Sequence, residues 1–361
     1  MSATSIYSVD LPDYVKQFCG DFGGIQIETL TLSQLLDLGK LREIEYLIIY
    51  EQFVLYHEQI LVNLLEQGRV GSLTIYNNHP FILSDESMMR LDSLAKTHTV
   101  DIIVNGYYDK EYKNINIHHT DTWEHMISHS FTLLLSQILK KKRNPSSVFA
   151  LQTVFKDNFR RTVGNFIQTS SIAKNILKLP SMASKGLYNL SADFIKKVEG
   201  EHGPGQHIHS LQSFGNGLPN FKTYESAFCE IVLETRNSGH WHFTEKTFRP
   251  IALGIPIVHL GHGPIYNRLL EYGYRFYDYN FYETWHSDMP LENKLPFLEN
   301  FLSHIRDNVS SQKQMEEIAE HNYKHFWNER KLRYYKNIND VFENIFGTNR
   351  SINKIYDQLN F

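Results

Sequence analysis

Residues 234–263 read ETRNSGHWHFTEKTFRPIALGIPIVHLGHG, and this stretch decides how the rest of the chain is interpreted. The segment that leads into it, Phe228–Glu234, is apolar and β-branched, and a turn-forming Asn-Ser-Gly follows, so we predict a buried strand that feeds a loop. A helix is predicted next, with Thr244 as its N-cap and Gly254 in the left-handed position at its end. Ile255–Leu260 is the expected next strand. The pattern therefore predicts a strand, loop, helix and strand in succession.

The predicted helix has its own signals of packing and strain. Phe248, Ile251 and Ala252 recur at i, i+3 and i+4, which predicts an apolar stripe against a core. Pro250 lies inside the helix and removes one backbone hydrogen bond. We therefore expect this helix to be short or bent.

The start of this helix has the composition of a phosphate-binding site. A helix start offers backbone N–H groups, and Lys246 and Arg249 follow one turn apart, which suits a diphosphate. Glu245 beside them can accept a hydrogen bond from a ribose or sugar hydroxyl. Gly261, after the second strand, allows the backbone to approach a ligand closely. An ordinary charged helix start is an equally good explanation of the same residues.

This stretch resembles the donor-binding segment of glycosyltransferases with two Rossmann-like domains, the GT-B fold. It is similar to the Glu-Asn-Ser, Thr-Glu-Lys and Gly-x-x-Pro-x-x-x-Gly pattern of α1,3-fucosyltransferases, and closer to bacteriophage and bacterial glycosyltransferases with Phe-Ile-Thr-Glu-Lys-Thr-Phe-Lys-Pro-Ile. The resemblance implies that a nucleotide-diphosphate sugar, UDP- or GDP-linked, binds here. Fucosyltransferases have Asn after the first Glu, where this chain has Thr235, so the resemblance does not identify the donor. The matching residues are Glu234, Ser238, Thr244, Glu245, Lys246, Arg249 and Gly261.

The first 145 residues alternate short β-branched segments with helical ones. This alternation predicts an α/β fold, with a parallel sheet and helices on its faces. In such a sheet, ligands bind beyond the carboxyl ends of the strands. The predicted strands are Ile25–Leu30, Tyr46–Tyr50, Ser72–Tyr76 and Val100–Val104, and the predicted helices include Gln52–Gln67 and Ser87–Lys96.

Three residues of this half are candidates for the general base. An inverting glycosyl transfer needs a base that takes the acceptor proton while the nucleotide diphosphate leaves. Glu51 is the first choice because it directly follows a predicted strand, and His79 and Asp121 are the other candidates. For Glu51 a structural role is equally good, since an acid at a helix start interacts favourably with the helix dipole.

A basic run marks the predicted domain boundary. The helical segment Phe131–Leu139 continues into KKKR at 140–143, and NPSS follows as a linker. The run suits a helix C-terminus, or else a surface that follows DNA phosphates. We predict an N-terminal Rossmann-like domain at 1–145, a nucleotide-sugar-binding Rossmann-like domain at 146–310, and C-terminal helices at 311–361 that pack back towards the first domain.

Two arginines after the linker are candidates for the donor diphosphate. Val148–Val154 is a predicted strand, followed by a helix that we expect to run on to Leu177. Arg160 and Arg161 lie near its start, where the resembling phage enzymes have an Asn and Arg pattern, and a guanidinium there can pair with a diphosphate. Arg161 is slightly favoured because of the predicted buried face at 163–167. An exposed helix arginine is the alternative.

The C-terminal part is predicted to add one strand and two helices. Tyr272–Tyr279 is the expected strand, and Leu295–Ile305 and Gln312–Phe346 are the expected amphipathic helices. The second of these helices is long enough to cross between domains.

A metal site is considered and not expected. The candidate ligands have no acidic or cysteine partners at metal-ligand spacing, and the resemblance implies a reaction without a metal. We therefore expect no cofactor besides the donor. The histidines in question are His202, His207, His209, His240 and His242.

Composition excludes several classes of protein. The 361 residues have a net charge of −4, 42% hydrophobic and 21% charged residues, which is typical of a globular protein without general affinity for nucleic acid or anionic membranes. Cys19 and Cys229 lie far apart without metal or nucleophile motifs, which favours a reducing compartment. No secretory signal and no apolar run of membrane-spanning length is present, so we expect no membrane partner and a cytoplasmic location in the producing or infected cell.

The sequence thus predicts a glycosyltransferase that moves a sugar from a nucleotide-diphosphate sugar to an acceptor hydroxyl, inverting and independent of metal. The most specific acceptor we expect is a hydroxymethylated pyrimidine in bacteriophage DNA, because of the phage-type resemblance and the basic run. One alternative is transfer to a glycan or small molecule. Another is a catalytically silent protein that binds a nucleotide sugar or DNA.

Overall fold

The computed structural model places the described residues in two compact units. The first unit comprises Met1–Thr122, Asn237–His242 and Leu332–Phe361, and the second comprises Trp123–Arg236 and Phe243–Lys331. The domain boundaries that we predict from the sequence stay predictions. The described residues are 6–9, 27–41, 44–77, 83–105, 107–108, 111–120, 136–137, 139–141, 143–145, 147–152, 158–179, 221–234, 240–241, 243–261, 263–330, 340–341 and 344–345.

The first unit contains a six-stranded parallel sheet, which confirms the α/β class. Its spatial order is β2-β1-β3-β4-β5-β7, and every neighbouring pair is parallel. The order reverses between β1 and β3, so a topological switch point lies there, as in Rossmann-like sheets. The strands are β1 (Ile6–Val9), β2 (Ile27–Leu30), β3 (Ile44–Tyr50), β4 (Val70–Asn77), β5 (Thr99–Asn105) and β7 (Asn116–Thr120).

Three helices of this unit pack against the sheet. They are α1 (Leu32–Leu41), α2 (Glu51–Glu66) and α3 (Asp85–Leu94), and the Ser84 hydroxyl caps α3 by accepting from the Ser87 amide. Alternate strand residues point to one face, where burial of their apolar side chains provides the main stabilisation. This core contains Leu47, Ile49, Leu73, Ile75, Val100, Ile102 and Val104 from the strands, with Phe53 and Leu61 of α2 and Met88 and Leu91 of α3.

The first unit also contains a short antiparallel ribbon. It pairs β6 (Tyr107–Tyr108) with β11 (His240–Trp241). The backbone of His240, one of the histidines considered for a metal, is thus part of a strand.

The second unit contains a four-stranded parallel sheet of order β12-β10-β8-β9. The chain passes from β8 to β9 on one side of β8 and later to β10 on the other side of β8. A second switch point therefore lies between β8 and β10, and its carboxyl edge is where a ligand is expected. The strands are β8 (Ser147–Gln152), β9 (Ile176–Leu179), β10 (Ala227–Val232) and β12 (Ile257–His259).

The described helices of the second unit enclose an aromatic core. The rings of Phe281 and Phe301 stack at 3.8 Å and those of Tyr266 and Tyr282 at 4.7 Å, which accounts for part of the 13% aromatic content. The helices are α4 (Asn158–Thr169), α5 (Phe221–Ser226), α6 (Glu245–Leu253), α7 (Gly263–Glu271), α8 (Tyr279–His286), α9 (Leu291–Asp307) and α10 (Val309–His325), and Phe326–Arg330 continues α10 as a π-helical turn. No helix of the described residues is long and apolar enough to cross a membrane.

Two predictions of secondary structure in this unit are wrong. The helix expected to reach Leu177 ends at Thr169, because the Ser171 amide donates to the Glu299 carboxylate at 2.8 Å, and Ile176–Leu179 becomes β9. Tyr272–Tyr279 is not a strand, because the Asn322 side chain accepts a hydrogen bond from the Arg275 amide and donates one to the Arg275 carbonyl, at 2.8 Å each. In both places a side chain of a later helix replaces the expected backbone partner.

The long C-terminal helix is also interrupted. Regular α-helix in α10 ends at His325, and the five residues that follow are π-helical. The predicted single helix over Gln312–Phe346 is therefore wrong in its described part.

Candidate functional site

The candidate site lies at the carboxyl edge of the second sheet. Glu234 follows β10, His259 ends β12, and α4 and α6 begin close behind β8 and β10 in the chain. Parallel strands bring these ends to one edge, on either side of the switch point. The topology therefore brings the strand ends and the helix starts of this segment to the same edge of the sheet.

Local signals position α6 as expected. Thr244 is extended and its hydroxyl accepts from the Lys246 amide at 3.2 Å, while Gly254 ends the helix with a φ of 70°. The helix is nine residues long with Pro250 inside, in agreement with the short helix predicted. Phe248, Ile251 and Ala252 are buried, as the stripe predicts.

Glu234 is wholly buried and binds the start of α6. Its carboxylate accepts from the Thr244 hydroxyl at 2.8 and 2.7 Å, from the Thr244 amide at 3.2 Å and from the Thr247 hydroxyl at 2.5 Å. Burial raises the pKa of Glu234, but the Lys246 charge and these hydrogen bonds outweigh it, so the pKa is lowered. The helix start therefore already holds an anion, and that anion belongs to the chain.

Lys246 is the cation of this cluster. Its Nζ lies 3.0 Å from the Thr244 hydroxyl and 4.0 Å from Oε2 of Glu234, and its side chain is 12% exposed. It thus lies at the border between the buried carboxylate and the surface. Glu245 is the first residue of α6, and its side chain lies outside the described part, as does the whole of Ser238.

The guanidinium of Arg249, predicted to bind the donor, has buried partners within the second unit. Its Nη2 donates to Glu230 at 2.8 Å and its Nε to the Tyr224 hydroxyl at 2.7 Å, and the same hydroxyl donates to Glu230 at 2.5 Å. Arg249 is 4% exposed, and Glu230 is not exposed at all. The one-turn spacing from Lys246 suggested a shared diphosphate site, but a buried carboxylate in the middle of β10 binds this guanidinium instead.

His259 was not predicted as a site residue, although Gly261 was. The imidazole of His259 has no exposed surface, and neither ring nitrogen has a hydrogen-bond partner among the residues that the structure describes. Burial lowers the pKa of His259 to about 4, and the charge of nearby Glu234 offsets this only in part. The only sequence signal was its place at the end of a strand before a glycine.

Gly261 makes room for this imidazole. A Cβ atom at position 261 would lie 2.5 Å from Cε1 of His259, closer than side chains tolerate. The glycine is therefore required by the histidine ring, in addition to any approach of a ligand.

The two candidate arginines are separated by burial. Arg160 is 7% exposed and lies on the buried face of α4 with Val163 and Ile167, whereas Arg161 is exposed. The slight preference for Arg161 as the arginine of the diphosphate stays a prediction, while the buried face of α4 includes position 160. Arg160 is the arginine in the first turn of α4 that the fold holds in place.

The predicted base residues each follow a strand of the first unit along the chain. Glu51 begins α2 directly after β3, at the switch point beside β1, and its side chain lies outside the described residues. His79 and Asp121 also lie outside them, just beyond Asn77, which ends β4, and Thr120, which ends β7.

A carboxylate–imidazole pair in the first unit was missed. His118 Nε2 lies 2.8 Å from Oδ1 of Asp101, which is buried on β5. His118 and its neighbour His119 both lie within β7. The pair joins β5 to β7, and alternation alone gave no sign of it.

The basic run is engaged within the second unit. Lys140 lies 3.1 Å from Glu320 and above the Tyr323 ring, and Arg143 donates to the backbone oxygen of Phe228. Two of the four charges therefore hold the end of this segment against α10 and β10. This is the structural alternative considered for the run.

Metal binding has no support among the described residues. They contain no group of three or more His, Cys, Asp or Glu side chains that converges as a metal site. His202, His207, His209 and His242 lie outside the described ranges.

No protein-family model matches this chain, and no curated protein matches it either.

Proposed function

We propose that the chain is a glycosyltransferase that transfers a sugar from a nucleotide-diphosphate sugar to an acceptor hydroxyl. The observation that supports this most is the switch point between β8 and β10. Its carboxyl edge holds Lys246 at the start of α6 and buried Arg160 at the start of α4. Two cations at such an edge, together with the start of α4, suit the diphosphate of a leaving nucleotide.

The roles in this proposal follow from charge and position. Lys246 and Arg160 neutralise the diphosphate as the glycosidic bond to the sugar breaks, and no metal is needed for that. Glu51 takes the proton of the acceptor hydroxyl, whose oxygen attacks the anomeric carbon while the bond from that carbon to the diphosphate breaks, and this single displacement inverts the configuration. A GT-B arrangement of the two units belongs to the proposal, and the two parallel sheets, each with one switch point, are compatible with it.

For the acceptor we propose a hydroxymethylated pyrimidine in DNA. The phage-type resemblance is the support for this choice. The basic run no longer adds to it, because Lys140 and Arg143 have partners inside the second unit.

Nucleotide binding tests the donor site. Thermal shift and calorimetry with UDP, GDP and their sugars are expected to show that one nucleotide stabilises the protein, since a ligand of the native state raises its melting temperature. Lys246→Ala is expected to weaken that binding about tenfold or more, because a charge-assisted contact to phosphate is lost. Lys313→Ala, which removes an exposed lysine of α10, is the matched control and should bind like the wild type. Equal binding by Lys246→Ala and the control would refute the donor site.

Transfer assays test the reaction and the acceptor. Labelled sugar should pass to DNA that contains hydroxymethylated pyrimidine and not to unmodified DNA. Transfer to glycans or small molecules alone would refute the DNA acceptor but would still support a glycosyltransferase. A protein that binds the donor and neither hydrolyses nor transfers it would instead be a silent nucleotide-sugar-binding protein.

A further inference from the structure

His259 has a buried imidazole without a hydrogen-bond partner in the described part of the chain. Both ring nitrogens are enclosed, the side chain has no exposed surface, and Glu234 is near enough for its charge to act on the ring. A buried polar group without a partner destabilises the folded chain, and native proteins contain few of them. An apolar residue would fill the same space without that cost, so stability does not explain this histidine.

The place of His259 gives the explanation. It ends β12, it pairs in register with Val232 on β10, and two residues after Val232 comes Glu234 at the start of the proposed donor site. Gly261 lacks the side-chain atom that would collide with the ring. Two positions of the chain are thus adapted to keep an unsatisfied imidazole at this edge.

We propose that His259 determines ligand specificity at this site by forming a hydrogen bond to a carbohydrate hydroxyl of the bound nucleotide sugar. This inference rests on the proposed function and assigns a residue and a chemical group to it. Because the ring is enclosed in the ligand-free chain, ligand entry displaces the groups that cover it. The free-energy gain on binding then includes a hydrogen bond that the empty site lacks.

A hydroxyl fits the ring better than a phosphate does. A neutral imidazole has one N–H donor and one nitrogen acceptor, and phosphate oxygens at neutral pH offer acceptors only. A hydroxyl donates as well as accepts, so it can pair with either nitrogen. Lys246 already provides the positive charge that a phosphate requires. The hydroxyl comes from the ribose or from the transferred sugar.

Binding of ligand pairs by wild type and two variants tests this role. Removing one hydroxyl contact is expected to weaken binding about tenfold. Wild type should therefore prefer a nucleoside diphosphate to its 2′,3′-dideoxy counterpart if the ribose is read, or the nucleotide sugar to the nucleoside diphosphate if the sugar is read. His259→Leu should lose that preference, keep its affinity for the dideoxy compound and have a melting temperature equal to or above that of wild type. His259→Gln, which keeps a donor and an acceptor, should retain part of the preference.

Nitrogen NMR of the imidazoles provides a readout independent of the variants' stability. In wild type labelled at the histidine nitrogens, the resonances absent from His259→Leu belong to His259. They should shift when the preferred nucleotide is added and not when its counterpart without the hydroxyl is added.

The outcomes separate the two proposals. If no nucleotide binds wild type, the proposed function and this inference both fail. If nucleotides bind and His259→Leu shows the same preferences as wild type, only the inference is overturned. An unchanged His259 resonance on saturation with the preferred ligand overturns it as well.

Discussion

Glu230 and Glu234 lie four residues apart along one segment, and both carboxylates meet side chains of α6, yet their surroundings differ in kind. Glu230 belongs to a closed triangle with Arg249 and the Tyr224 hydroxyl, in which each group binds the other two. Glu234 is held by threonine hydroxyls at the helix start, with Lys246 at 4.0 Å and an unpaired His259 nearby. In the first arrangement every polar side chain has a partner, whereas beside the second the His259 ring nitrogens have none among the described residues.

The two carboxyl groups also ionise differently although neither has exposed surface. Burial raises the pKa of Glu230, and Arg249 and Tyr224 only offset part of this. Burial acts on Glu234 in the same direction, but the Lys246 charge and the hydroxyl donors reverse the result, and its pKa is lowered. Burial alone therefore does not decide the direction in which the pKa of a carboxyl group shifts, because the nearby charges and hydrogen-bond donors can reverse its effect.

Breaking the closed triangle should have the largest effect. Arg249→Met leaves the Glu230 carboxylate buried without its cation, and such a loss costs about 3–5 kcal/mol. Urea unfolding of the variant and wild type measures this change in the free energy of unfolding.

The double variant shows whether the triangle is only structural. Glu230→Met combined with Arg249→Met replaces the pair by apolar side chains and should recover most of the stability, since apolar replacements of buried ion pairs are often neutral. Binding of nucleotide diphosphates by the double variant should equal that of wild type. If the double variant recovers stability but loses nucleotide binding, Arg249 contributes to the donor site and the triangle is not only structural.

The next largest effect is expected from a decrease in pH, which should lower the free energy of unfolding through His259. The pKa of His259 is lowered from 6.5 to about 4, so the unfolded chain binds a proton between these values that the folded chain does not. The contribution of His259 to the free energy of unfolding is thus fully present above pH 6.5 and is lost as the pH decreases towards 4. The loss amounts to about 3 kcal/mol at 1.36 kcal/mol per pH unit. His259→Leu should lack this contribution, so the difference between its free energy of unfolding and that of wild type should grow by this amount over that range. A constant difference would show that His259 is protonated or exposed in the folded chain.

The sequence predicted the ends of α6 because their signals are local. Thr244 and Gly254 need only their immediate neighbours to cap a helix, and both are confirmed as caps. The parallel sheets were predictable for a similar reason, since the alternation of strand and helix is visible along the chain. Such features depend on residues that are close in sequence.

The buried surroundings of Arg249, Arg160 and His259 could not be predicted in this way. Glu230 lies inside a strand that we described as an apolar run, so nothing indicated that it would bind Arg249 nineteen residues later. Arg160 became buried because its side of α4 faces the core, and the amphipathic pattern fixed that face to within one residue only. The burial of His259 depends on Gly261 and Glu234 together. Pairing across elements is decided by tertiary packing, which one sequence does not show.

The smallest effect is expected from the N-cap Thr244, whose hydroxyl contacts both Glu234 and Lys246. Thr244→Ala removes the hydroxyl that accepts from the Lys246 amide and donates to Glu234, and loss of an N-cap costs about 1 kcal/mol. The cost stays this small because the Thr247 hydroxyl and the backbone amide of residue 244 still donate to Glu234. Thr244→Ser keeps the hydroxyl and should be close to wild type in urea unfolding. If Glu234 serves only to hold α6, Thr244→Ala should lose this stability and bind nucleotide as well as Thr244→Ser does. If the cluster also orients Lys246 towards a ligand, binding should weaken by more than the loss of stability explains, because the Lys246 ammonium loses the hydroxyl that lies 3.0 Å from it.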